Sequence, residues 1–385
     1  MISIDETYLI ETLKDLVGIN SVNPSLTPEG VGEAEIGAYV AGALKELGLE
    51  TTLYELELGR VNVVGVLKGT GGGRSLLLNA HMDTVGVDGM RVAPFGAEIR
   101  EGRLFGRGAQ DMKASLAAMM AVAKAFVDAR IPLAGDLLIT AVADDEYVSI
   151  GTEALLRQVQ ADAAIVTEPT DMSVCRAHRG FIWYDVETLG RAAHGSRYTE
   201  GLDANMRMGR FLAQLEMLEQ ELLTRPGHPL TGPPSLHASI LRGGKEISVY
   251  AASCLLQIER RTAPGETQAQ ATAELQAIVD RLAEEDPTFK ATLKPTFERA
   301  PFVVAPDAAI VQILDRALEN RLGETSAHSG QTFWTDAALF ADAGMETVLL
   351  GPIGFGLHSA EEWVDLASVV DLAYVLAEAA QMYCG

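Results

Sequence analysis

The sequence predicts an α/β fold: a mostly parallel-sheet domain with helices on both faces, plus an inserted ferredoxin-like α+β domain. Three observations carry that expectation. Apolar runs at 75–79, 135–143 and 163–167 read as strands buried on both faces, the kind found in parallel sheets. Segments with helical spacing of apolar residues alternate with these runs, as βα units require. Between about 177 and 298 the apolar period drops to two, and the elements follow a β-α-β-β-α-β order, the split βαβ plan.

Taken in order, residues 5–17 carry Leu9, Ile10, Leu13 and Leu16 at helical spacing, with acidic residues in the first turn. A second helix is expected at 32–47, stopping at Gly48. Strands follow at 50–57 and 61–67, and Gly69, Gly71, Gly72 and Gly73 mark a turn. After the strand 75–79 comes an alanine- and methionine-rich helix at 112–129, ending before Pro132. A short helix near 152–159 separates the strands 135–143 and 163–167. From 181 to 189 the residues alternate, with Ile182, Tyr184 and Val186 on one face, which suits an antiparallel sheet covered on one side. A helix at 203–223, strands at 236–241 and 254–260, a helix at 267–283 and a strand at 290–297 complete the insert. After Pro301 the α/β character resumes, with helices at 308–321, 335–343 and 368–383 and a strand at 347–350. The expected domains are therefore 1–176 with 299–385, and the insert 177–298.

Composition narrows the function. The chain has 385 residues, more than one ordinary core holds, and 48% of them are hydrophobic, so two packed domains are expected. Its formal charge of -23 comes from 53 acidic and 30 basic residues and argues against nucleic acid or an anionic membrane as partner. Cys175, Cys254 and Cys384 are scattered without a CxxC spacing and read as free thiols of a reducing compartment. The first residues lack a basic region followed by an apolar one, and there is no run of about 18 apolar residues. A cytoplasmic location is the expectation.

The residues that carry chemistry follow the buried strands. His81 and Asp83 follow the run 75–79; on one strand they share a face, so the carboxylate can hold the imidazole or bind beside it. Asp111 follows a glycine-bearing turn and precedes a helix, where it serves either as a helix cap or as a ligand. Asp144, Asp145 and Glu146 come straight after the strand 135–143. Three adjacent carboxylates repel one another; a nearby dication would relieve this, and one left unliganded could act as a general base. Glu168 follows the strand 163–167, and His358 lies in a glycine-rich loop. Each alone has an ordinary structural explanation. Together, two imidazoles and several carboxylates at strand ends are what two adjacent hard-to-borderline cations require, and ligands of open α/β sheets gather at the carboxyl ends of strands.

With the motifs AHMDTV, GRGAQDMKASLAAM, DDEYVSIGTEALL, VTEPT, GRAAHGSRYTEGLDA, ERRTAPGET and GPIGFGLHSAEEWVDL in hand, the chain resembles a known family. It is similar to the co-catalytic zinc metallopeptidases and N-acyl-amino-acid deacylases, among them acetylornithine deacetylase, succinyl-diaminopimelate desuccinylase, aminoacylase and glutamate carboxypeptidase. The resemblance implies two Zn2+ per chain, with Co2+ able to substitute. It implies that Asp111 bridges them, that His81 and Glu168 complete one site and Glu146 and His358 the other, and that Asp83 orients His81. Asp145 falls at the general base, which would deprotonate a metal-bound water for attack on the amide carbonyl of an N-acyl amino acid. His194, on the inserted lid or dimerisation domain, matches an oxyanion-stabilising residue that family homodimers supply from the partner subunit. Arg261 matches an arginine that grips a substrate carboxylate, and Ser248 and the loop around Gly354 would line the substrate pocket. The chain departs from the family pattern at Asp145, where the usual base is the longer Glu, at Ser248, where Asn is common, and at Ala114, where Gly is usual. A small-molecule N-acyl amino acid is the expected substrate. A dipeptidase or carboxypeptidase of the same architecture is the alternative, and a catalytically dead binding protein the more distant one.

Overall fold

A computed structural model describes residues 2–323 and 327–385. The chain forms two compact units, Met1–Arg176 with Val304–Ser329 and Thr335–Gly385, and Ala177–Val303 with Gly330–Trp334.

The first unit is built on strands β1 (Glu50–Glu57), β2 (Arg60–Leu67), β3 (Leu76–His81), β6 (Leu137–Val142) and β7 (Ala163–Val166), with the short pair β4 (Glu98–Arg100) and β5 (Arg103–Phe105) outside that sheet. The sheet order is β1-β2-β6-β3-β7, followed by the strand Glu346–Leu349. β6, β3, β7 and Glu346–Leu349 run parallel, while β1 and β2 are antiparallel. Every residue of β3, β6 and β7 is buried, which accounts for their uninterrupted apolar runs. Leu76, Leu78, Ile139 and Ile165 share one core with Leu116 and Met120 of the helix Ala114–Ala129 and Leu372 and Leu376 of the helix Leu366–Cys384. On β2 the helix Ala34–Glu46 lies close because Gly37 faces Val61, where a Cβ would come within 2.4 Å of a methyl group.

Two features differ from expectation. The helix expected from 112 begins at Ala114, because Asp111 and Met112 have non-helical dihedrals in a wide turn over Ala109–Lys113; the Asp111–Met112 peptide bond is cis. A second small sheet joins β4 and β5 to Gly354–Phe355 and Trp363–Asp365. These strands of two or three residues are too short to carry a readable period. They tie the segment leading to Asp111 to the segment holding His358.

The second unit has an antiparallel sheet in the order Ser235–Gly243, Ser253–Thr262, Gly180–Leu189, Lys290–Arg299, the ferredoxin-like arrangement. Ile182, Tyr184 and Val186 are buried against Phe211 and Leu215 of one helix and Leu275 of the other. Asp203 caps the helix Ala204–Thr224, and Thr267 with Gln270 forms a capping box on Gln268–Glu285. Among the described residues, no helix is long and apolar enough to cross a membrane.

Candidate metal centre

The register of the parallel sheet sets the first side chains. His81 pairs with Val142 and Asn79 with Val166, so the carboxyl ends of β3, β6 and β7 lie level. His81 therefore comes beside Asp145 and Glu146, which follow β6, and Glu168, which follows β7. Asp111 arrives from the wide turn. Gly108 opens it at a φ of 78°, where a Cβ would meet the Thr84 side chain at 2.8 Å. Glu362 fastens the same turn: one carboxylate oxygen accepts the backbone N–H of Gln110 at 2.9 Å and of Asp111 at 3.1 Å. The other accepts the N–H of Gly108 at 3.0 Å and the Arg107 guanidinium at 2.8 Å. Arg107 also donates to the Ser359 carbonyl at 3.1 Å, so the turn with Asp111 and the loop with His358 hold each other.

Two donor groups result, His81 with Asp111 and Glu168, and Asp111 with Glu146 and His358, each with one ligand atom per residue inside a 4.8 Å span. Asp111 belongs to both. Its Oδ1 lies 3.0 Å from His81 Nε2 and its Oδ2 3.4 Å from His358 Nε2. Glu168 Oε1 lies 3.8 Å from His81 Nε2, and Glu146 Oε2 lies 2.9 Å from His358 Nε2. Imidazole nitrogen and carboxylate oxygen are the donors that zinc-like dications take. Glu168 Oε1 is enclosed without a hydrogen-bond partner among the described residues, a costly state that a cation would relieve. The donor set fits a pair of metal ions.

The electrostatics follow from crowding. Burial, and then the charge of Asp111, push Glu168 well above the usual carboxylate range and raise Glu146 to about 7. Burial would raise Asp111 too, but hydrogen bonds from His358 and His81 outweigh it and hold the carboxyl well below its usual range. His81 is raised despite its burial, by the Asp111 hydrogen bond and the charge of Glu168. His358, half-exposed, is raised to about 10 by its hydrogen bonds to Asp111 and Glu146.

Asp83 meets His81 mainly through its main chain: His81 Nδ1 is 2.9 Å from the Asp83 carbonyl and 3.6 Å from the carboxylate. The carboxylate instead accepts from Asn23 Nδ2 at 2.8 Å and from the backbone N–H of Asp145 and Glu146 at 3.2 and 3.3 Å. The three adjacent carboxylates separate. Asp144 turns into the interior at a φ of 71° to meet Arg60 and Asn23, and Glu146 meets His358. Asp145 is held well above the usual range by burial and next by the charge of Asp336. Asp336, itself raised to about 6 by burial, accepts the Thr152 hydroxyl at 2.5 Å. Sequence reasoning missed Asn23, Arg60, Asp336 and Glu362. Only Glu362 had a signal, its place in the loop of His358.

Gly354 lies in the small sheet, where a Cβ would come within 2.6 Å of the Trp363 carbonyl and 2.7 Å of the Gln110 side chain. In the second unit, His194 and Ser248 come together: Gly195 N–H donates to the Ser248 carbonyl at 2.7 Å, and His194 bridges to Val249. His194 is exposed, and its Nδ1 lies 2.8 Å from the Ser196 hydroxyl and 3.2 Å from the Ser196 backbone nitrogen. Arg260 and Arg261 separate by face. Arg260 is fully buried and paired with Glu266 and Glu274. Arg261 is partly exposed, bonds Glu259 at 2.6 Å and lies 5.2 Å over the Phe181 ring.

A sheet whose strand ends present two carboxylate-bridged donor groups is laid out for two-metal chemistry. A family model described as peptidase family M20/M25/M40 matches residues 77–382, and the chain belongs to that family. It is 29% identical over 384 residues to acetylornithine deacetylase of Myxococcus xanthus, covering 97% of each chain. It is 28% identical to N-formyl-4-amino-5-aminomethyl-2-methylpyrimidine deformylase of Bacillus subtilis, covering 98% of this chain and 94% of that one. Among solved structures, aminopeptidase PepT of Bacillus cereus superposes with a TM-score of 0.80 at 19% identity, over 99% of this chain and 100% of that one. The YXEP protein of Bacillus subtilis, a dinuclear metal binding peptidase, superposes at 0.75 and 15%, over 98% of each. At these identities the structures speak for the fold.

His358 must lose its proton before Nε2 can bind a cation. Zinc titrated into the metal-free protein at about pH 7.5 should therefore release protons, read by calorimetry in two buffers of different ionisation enthalpy. Apparent affinity should rise with pH from the ordinary histidine value of 6.5 towards about 10. In the metal-free chain the sign is opposite: the His358 pairing stabilises fully below 6.5 and is lost as pH rises through about 10. Proton uptake, or affinity flat across that window, would contradict the pairing.

Proposed function

We propose that this family member is a two-zinc deacylase that cleaves the amide of an N-acyl amino acid bearing a free carboxylate, with Co2+ able to replace Zn2+. The observation that carries the reading is the shared Asp111 carboxylate, each oxygen directed to a different histidine-containing group. The two relatives at 29% and 28% identity, a deacetylase and a deformylase, both bear names of enzymes that remove a small acyl group.

In this reading His81, Asp111 and Glu168 would hold one ion, and Asp111, Glu146 and His358 the other. Bound ions polarise a carbonyl and acidify water. Asp145 then takes the proton of the attacking water and returns it to the leaving nitrogen. Burial and the charge of Asp336 raise its pKa, the direction that strengthens a base. His194 donates its Nε2 hydrogen to the developing oxyanion, and Arg261 grips the substrate carboxylate, with Ser248 and the loop at Gly354 beside the substrate. Domain 177–298 acts as lid and dimerisation domain, and His194 serves the second subunit of a homodimer. The strand Ser235–Gly243 supports that role: it is a sheet edge with Ile240 and Leu241 exposed, and such an edge is a template for pairing with another chain.

A panel of N-acetyl amino acids, N-succinyl amino acids and dipeptides, assayed with zinc and with cobalt, tests the reading. N-acyl amino acids should be turned over fastest. Faster dipeptide cleavage would favour a peptidase, and no turnover with less than one metal ion per chain would favour a binding protein. Asp145→Asn should lower kcat by about 10²–10⁴-fold with metal content unchanged; persisting activity removes Asp145 as the base. His194→Ala should lower kcat by about 10²–10³-fold, the scale of one oxyanion donor, and a change in KM alone contradicts that role.

A further inference from the structure

Arg60 opens β2 straight after the Gly59 turn, a place where an arginine usually reaches water, yet it is only 4% exposed. Its Nε donates to one Glu33 oxygen at 2.7 Å and its Nη2 to the other at 2.8 Å, a two-pronged grip. The same Nη2 donates to Asp144 Oδ1 at 2.8 Å, and Nη1 reaches the Ser25 hydroxyl at 3.3 Å. Asp144 Oδ1 also accepts from Asn23 Nδ2 at 3.0 Å, and that nitrogen donates in turn to Asp83 at 2.8 Å. From these two carboxylates hangs the chain that leaves β6. Asp83 accepts the N–H groups of Asp145 and Glu146. The second oxygen of Asp144 accepts those of Val148 and Ile150, each at 3.3 Å. Glu33, Asp83 and Asp144 are all buried. Arg60 is the cation that faces both Glu33 and Asp144.

We propose that Arg60 is a positioning residue. Through Asp144, and through Asn23 and Asp83, its guanidinium sets the direction in which Asp145 and Glu146 leave the end of β6. The proposal rests on the reading of Asp145 as base and Glu146 as ligand. A lysine cannot do the same work: an ammonium is a point charge without the planar fork that spans Glu33 and Asp144 together. Arg60→Lys thus separates the charge that stabilises from the geometry that aims.

The experiment compares wild type, R60K and E33Q in two ways. Hydrogen exchange of the metal-free proteins reads the amides of residues 143–151, with the second unit as internal reference. Steady-state kinetics of the zinc-loaded proteins use the best N-acyl amino acid of the panel. R60K, with wild-type circular dichroism, should exchange at least about tenfold faster in 143–151 and no faster in the second unit. Its kcat should fall by about 10–100-fold, the usual scale for a residue supporting metal ligands, with KM within about twofold. If R60K does not fold, E33Q decides by the same two readouts, because the amide loosens the two-pronged grip on Arg60 and lies outside the segment being read. Exchange in 143–151 at the wild-type rate, or a rise in KM with kcat unchanged, overturns the proposal. Wild-type enzyme inactive on every substrate would remove the roles of Asp145 and Glu146, while the exchange rates would still judge whether Arg60 holds the segment.

Discussion

Repulsion among buried carboxylates is the constraint on which this structure depends. Buried Asp83, Asp144 and Glu168 and the partly buried Asp111, Asp145 and Glu146 crowd near the carboxyl ends of three adjacent strands, with buried Asp336 beside Asp145. A buried charge without a partner costs several kcal/mol, and removing one member of a buried pair costs about 3–5 kcal/mol. The polypeptide offsets this in two ways. It turns Asp144 away to Arg60, so three consecutive acids never share one direction. It surrounds Asp111 with imidazoles and gives Asp83, Glu146 and Asp336 backbone N–H, histidine or hydroxyl donors. Glu168 Oε1 is left without such a donor. The remaining deficit of positive charge is what a pair of cations supplies, which couples metal binding to the stability of the fold.

Much of the fold was legible because burial on both faces leaves a mark that chemistry cannot disguise. The runs through Leu78, Ile139 and Ile165 have no polar face because none is wet. The alternation through Ile182, Tyr184 and Val186 has one face because helices cover a single side. His81, Asp111, Glu146, Glu168 and His358 stood out as polar residues beside such strands or glycine-rich loops, and the fold brings them into two groups. Arg60 was not legible, since a charge beside a glycine turn looks like any solvated arginine. Its meaning depends on Glu33 and Asp144, 27 and 84 residues away. Asp336 likewise reads as an ordinary acid before a short helix. The neighbouring Arg260 and Arg261 could be told apart only by the pleat, which sends one into the helix-covered core and the other over an aromatic ring.

The second unit divides its labour along the same pleat. Residues facing the helices make the core, while the opposite side of Gly180–Leu189 carries Phe181 and Trp183 in contact with Phe297. Arg261 lies over Phe181, and Glu259 accepts both its guanidinium and the Trp183 indole N–H. A charged group on an aromatic platform with one carboxylate partner is held in direction yet keeps donors free on its far edge.

The clasp between Glu362 and the turn at Asp111 joins residues 251 apart in the chain. A ribosome emits those partners in order, at a pace of roughly 5–20 residues each second. His81, Asp111, Glu146 and Glu168 all emerge well before His358 and Glu362. For many seconds of synthesis, then, the nascent chain exposes acids whose neutralising histidine and fastening carboxylate have not yet been made. The two donor groups are therefore completed by residues made long after the others, and they stay incomplete until residues 358–362 have been synthesised.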